Sequence, residues 1–145
     1  MTCMLSYPRY ILMAGLESSS EQTIKYREDC RNILALSPKI RYVGVINRFG
    51  RTLAGQLRKG VVPLFKTEEA RNEFFIEAIR GQLRKNFEAS IGKTDYTFTE
   101  NEKVKILTIT KEETFYYVTL DKEAISEEIS IIIESIKDLI YNKKR

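Results

Sequence analysis

The sequence predicts an α+β fold in the order α-β-β-α-β-β-β-α, with a single five-stranded antiparallel sheet flanked by helices. Three observations carry that reading. Two β-branched runs meet at a short glycine-containing turn, three further runs follow as a meander, and segments with apolar residues at three-and-four spacing lie before, between and after them. The 145 residues, 43% hydrophobic and 30% charged, suit one domain with one ordinary core.

The first helix is expected to start at Ser18-Ser19-Ser20, where a serine cap is followed by Glu21 in the first turn. Ile24, Arg27, Cys30, Ile33 and Leu34 then recur on one side until Ser37-Pro38 ends it. Residues 1–19 read as a disordered N-terminal extension and residues 20–145 as the single domain. The apolar run from Tyr10 to Leu16 is too short to span a membrane. Met13 makes a plausible alternative start.

Arg41–Asn47 and Arg51–Leu57 read as two strands of a hairpin, with Asn47-Arg48-Phe49-Gly50 as the turn. Lys59-Gly60-Val61-Val62-Pro63-Leu64 breaks the pattern and is unusually apolar for a loop. Thr67 is the expected cap of a second helix of about 24 residues that ends at Gly92. On a wheel of ~100° per residue, Phe75, Ile76, Ile79, Leu83 and Phe87 form one broad stripe, expected to cover the sheet. Glu73, Glu77, Arg80 and Arg84 fall opposite. Phe74, Ala78 and Gly81 form a separate flank, expected to be surplus to the sheet; its small residues permit close approach, either by another helix of the same chain or by a second subunit. Tyr96–Thr99, Val104–Thr110 and Thr114–Leu120 are the remaining strands. Asp121 is the expected cap of a last helix with an apolar face from Ile125 to Ile140.

Several chemistries have no residues to perform them. The chain has no histidine, which removes the commonest general base and the imidazole metal ligands. Cys3 and Cys30 cannot make a zinc site unaided, form no disulfide framework, and suit a reducing, cytoplasmic setting. There is no phosphate-binding glycine motif. These readings predict no catalytic residue, cofactor or metal. Net charge is uneven because acidic residues are sparse in the first part: residues 1–66 hold 11 of the 24 basic residues but only 4 of the 20 acidic ones. Arg48, Phe49, Arg51, Arg58 and Lys59 on and beside the hairpin make a candidate basic patch, the chemistry of phosphate or single-strand contact.

With its hairpin Val43–Ala54 and its final strand Tyr116–Asp121 running straight into a helix, the chain resembles the Roadblock and longin-like group of profilin-like folds, including small archaeal proteins of that type. The resemblance covers about residues 20–141. It implies a homodimer formed by the long helix and the third strand, with scaffolding or regulation of a small GTPase or cytoskeletal partner and no catalysis. Phe74, Ala78, Gly81, Tyr96 and Phe98 are the dimer residues this reading selects. The alternative is a small-molecule sensor of the PAS type, with Tyr42, Tyr116 and Tyr117 as polar groups around a cavity. Nucleic-acid binding through the hairpin is a weaker alternative.

Overall fold

The computed structural model describes the backbone of residues 9–141 and the side chains of residues 20–141. Its elements are α1 (Arg9–Leu34), β1 (Ile40–Asn47), β2 (Thr52–Leu57), α2 (Thr67–Arg84), a 3-10 turn Lys85–Phe87, the single turn α3 (Glu88–Ile91), β3 (Tyr96–Glu100), β4 (Val104–Lys111), β5 (Thr114–Asp121) and α4 (Ser126–Tyr141). The five strands form one antiparallel sheet in the order β2-β1-β5-β4-β3. The predicted α+β class, strand number and element order are those of the structure.

The sheet separates two cores, and period-two alternation decides which residues enter each. On one face Val43, Val45, Leu107, Ile109, Tyr116 and Val118 pack with Cys30, Ile33 and Leu34 of α1 and with Ile132, Ile133 and Ile136 of α4. On the other face Ile46, Val104, Ile106, Phe115 and Tyr117 pack with Phe74 and Ala78 of α2. A central sheet with helices on both faces is a stable layered arrangement, because each helix buries one stripe and the sheet buries two faces.

Three helices differ from expectation at their boundaries. The helix α1 runs from Arg9, so Ser18–Ser20 lie inside it; the good helix formers Leu12, Met13, Ala14 and Leu16 precede the serines. Residues 9–19, expected to belong to the N-terminal extension, lie within α1, and residues 1–8 lie outside the described residues. The helix α2 stops at Arg84, and the chain reaches Gly92, with φ +87°, through the 3-10 turn and α3. Its cap is Lys66, whose amide donates to Glu69 Oε1 at 3.0 Å. Asp121 ends β5 and does not cap α4: Ile125 precedes the helix, its amide donating to Glu128 Oε1 at 2.9 Å. Ile125 is consequently exposed and falls off the apolar face of α4.

Gly50 ties the β1–β2 turn to α2. Its φ is +85°, and a Cβ there would lie 2.7 Å from the backbone Cα of Phe75. The left-handed conformation and the backbone clash act together, so Gly50→Ala should destabilise the fold by about 2–4 kcal/mol in denaturant melts. A loss below about 0.5 kcal/mol, the size usual for a surface site, would show that the turn does not rest on the helix.

Candidate protein-interaction surface

The inward side of α2 is built from small residues and one ring. Phe74 sits between Tyr117, whose ring it meets edge-on at 5.0 Å between centroids, and Tyr42, stacked at 6.3 Å. Ala78 is fully buried one turn on. Gly81, a further turn on, lies against the ring of Phe115, which occupies the place that a Cβ would take. So close an approach leaves no room for branched or aromatic side chains beneath the last turns of the helix. They turn outward: Phe75, Ile76, Ile79 and Leu83, with Phe87 just beyond the helix, are 41 to 58% exposed.

This reverses the expected roles of the two apolar sets. Phe74, Ala78 and Gly81 hold the chain's own sheet and are not available to a second subunit, while the broad stripe is the free surface. Tyr96 and Phe98, also selected as dimer residues, pair with Ile109 and Leu107 and so share the α1/α4 side of the sheet. They are partly exposed on the edge strand but lie across the sheet from α2. The five residues are therefore not one surface.

The basic set is dispersed as well. Arg48 and Phe49 sit at the tip, with the guanidinium 4.8 Å from the ring centroid and 3.8 Å from Glu113. Arg51 is exposed nearby. Arg58 and Lys59 follow β2 at its far end, about 20 Å away by strand rise. Arg58 is committed to structure: it donates to the carbonyls of Leu34, Ser37 and Ile40 and joins the end of α1 to the sheet. The hairpin thus presents two arginines and a phenylalanine rather than a basic patch. Tyr116 and Tyr117 are likewise engaged, their hydroxyls donating at 2.7 Å to Asp29 and to Glu73. Burial and these carboxylates hold both phenols well above their ordinary range.

Sequence reasoning set Glu73 and Glu77 on the polar side of α2. In the structure they flank its buried side. Glu77 is buried, accepts a hydrogen bond from Thr108 Oγ1 at 3.3 Å and pairs with Arg80 at 3.2 Å. The spacing i, i+4 next to Phe74 and Ala78 was the available signal. Beyond Glu77 an open groove of about 680 Å³ runs between the end of α2 and β3–β4, floored by Thr97, Thr108 and Thr110. Its walls mix Arg80, Arg84 and Lys93 with Glu88, Asp95 and Glu112, so it favours neither sign of ligand charge. Among the described residues no cluster of His, Cys, Asp or Glu could hold a metal ion, and no helix is long and apolar enough to cross a membrane.

With this geometry the chain can be set against known proteins. No family model matches it, and no curated protein does. Solved structures do match in shape. The gliding protein MglB of Thermus thermophilus aligns with a TM-score of 0.64 at 12% identity, over 86% of this chain and 89% of that one. MglB in a tetrameric arrangement gives 0.64 at 13% identity, over 86% and 88%. A Roadblock/LC7 domain from Streptomyces avermitilis gives 0.54 at 11% identity, over 79% and 96%. The fold is that of the Roadblock and profilin-like domains. Within this fold α2 leaves Phe75, Ile76, Ile79 and Leu83 uncovered.

Glu77 supplies a pH test of how α2 is seated. Burial raises its carboxyl above the ordinary range, Arg80 partly opposing and Glu73 adding to the rise. A raised folded-state value means that the charged form costs stability above that value and that the cost disappears below the unfolded one. Glu77→Gln should therefore melt at a higher temperature than wild type near pH 7, with the gap closing as pH falls through the carboxylate range. A variant less stable at pH 7 would show that the Arg80 pair outweighs burial.

Proposed function

We propose that this protein is a non-catalytic interaction module that pairs with a second copy through the outer face of α2, the pair then serving as a scaffold for a small GTPase or cytoskeletal partner. The observation that carries the reading is the stripe Phe75, Ile76, Ile79, Leu83 and Phe87. Contiguous apolar surface of this kind is uncommon on a monomer and common at interfaces. A second copy fits it for two reasons. An apolar stripe is self-complementary under a two-fold axis, as a symmetric contact requires. Antiparallel pairing would also set the acidic first turn, Glu68 and Glu69, beside the basic last turn, Arg84. The small-GTPase part rests on the fold resemblance alone.

Light scattering after size exclusion tests the pairing. Wild type should run at twice the 16.9 kDa chain mass. Ile79→Glu combined with Leu83→Glu should run as a monomer with an unchanged far-ultraviolet spectrum, because two charges placed in an apolar contact are costly and unpaired. A wild-type monomer at high concentration would contradict the reading.

A further inference from the structure

The segment that joins β2 to α2 holds Val61, Val62, Pro63, Leu64 and Phe65 in succession. Connecting segments run over the surface in water, so an unbroken apolar run there needs a reason. Phe65 supplies one for itself, because it packs against the buried cluster around Phe74 and Tyr117. The residues before it do not follow. Val62 is 76% exposed, and Pro63 and Leu64 are exposed beside it.

This exposure is built into the backbone. Arg41, whose guanidinium is anchored on Asp121 at 3.3 Å, donates from Nη2 to the Val62 carbonyl at 3.1 Å. On one side of that tie Val61 N donates to Arg58 O at 3.1 Å, and on the other Lys66 N donates to Glu69 Oε1 at 3.0 Å. The loop is therefore held at three points with the Val62 side chain in solvent. Its charges are one-sided: residues 58–66 carry three cations and no acid. Arg58 is taken up by carbonyl groups. Lys59 and Lys66 flank the apolar tip, exposed and in no ion pair among the described residues. Of the acids that follow in the first turn of α2, Glu69 is turned back on the Lys66 amide and Glu68 is exposed.

We infer that this loop is a contact site for an anionic lipid surface. Val62, Pro63 and Leu64 enter the headgroup boundary, and the ammonium groups of Lys59 and Lys66 lie among the headgroup charges. Size decides against a protein partner: a stable protein contact covers about 800 Å² on each side, and three side chains fall far short of that. A bilayer sets no such minimum, since buried apolar area and each lysine near anionic headgroups contribute separately. Lysine suits the flanks, because its stem lies along apolar surface while its charge stays in water. One short loop gives weak, reversible binding that salt screens. The site is separate from the pairing stripe, which begins further along α2 at Phe75.

The chain has no tryptophan, so Val62→Trp places a single fluorescent reporter at the tip of the full chain. The probes are vesicles of phosphatidylcholine alone and of phosphatidylcholine with about one-third phosphatidylserine. On the anionic vesicles at low salt the Val62→Trp emission should shift to the blue and be quenched by brominated lipid. Ile131→Trp, at a site 67% exposed on α4, should show neither change. Wild type should co-sediment with the anionic vesicles and be released by salt of ~0.5 M. Lys59→Gln combined with Lys66→Gln should weaken partitioning about 25-fold, or about fivefold per lysine. Val62→Ser combined with Leu64→Ser, which leaves the charge unchanged, should weaken it about tenfold. No sedimentation with the anionic vesicles, equal sedimentation with phosphatidylcholine alone, or a blue shift at Ile131→Trp as large as at Val62→Trp would each overturn the assignment.

Discussion

The closeness with which α2 lies on the sheet governs the rest of this molecule. Ala78 and Gly81 present almost no side chain to Phe115, and Phe74 enters between Tyr42 and Tyr117. At that separation only small groups and one well-placed ring fit underneath. The bulkier residues of the same helix, Phe75, Ile79 and Leu83, must then face away from the sheet. The outer stripe is therefore a consequence of how the inner contact is packed. Filling Gly81 or reshaping Phe115 would tilt the helix and disturb both surfaces.

Polar groups fix the seat where packing alone would allow sliding. Glu73 and Glu77 reach down from α2 to Tyr117 and Thr108, one turn apart on the helix and on neighbouring strands of the sheet. On the opposite face Tyr116 reaches Asp29 of α1, and Arg58 gathers three carbonyls where α1 gives way to β1. Buried hydrogen bonds of this sort specify one arrangement more than they add stability, because each replaces bonds to water. The sheet becomes a stiff platform whose helices cannot drift in register.

Alternation made the strands legible in the sequence. Ile106 and Thr108 against Leu107 and Ile109, and the short polar turns between runs, placed β3, β4 and β5 to within a residue or two of their bounds. The orientation of α2 was not legible, since a wheel reports only that two apolar sets exist. Which set meets the sheet depends on the partner surface, here the ring of Phe115 above Gly81, a contact 34 residues away in sequence. Residue size was the signal read for the wrong partner: the flank with alanine and glycine is able to approach closely, and what it approaches is the chain's own sheet rather than another helix or a second subunit. The basic hairpin was misread for a similar reason. Strand length carries Arg58 to the far end of β2, and its guanidinium is consumed by carbonyls that sequence proximity does not reveal.

If the outward stripe exists because the inward contact is tight, its methyl groups should be what a second copy touches. Mixed samples of isotope-labelled and unlabelled chain, read for intermolecular methyl contacts by NMR, measure this directly. The account predicts cross-peaks between copies from Ile76, Ile79 and Leu83, and none from the buried Ala78. Contacts confined to the β3 edge at Tyr96 and Phe98, or no contacts between copies at all, would contradict it.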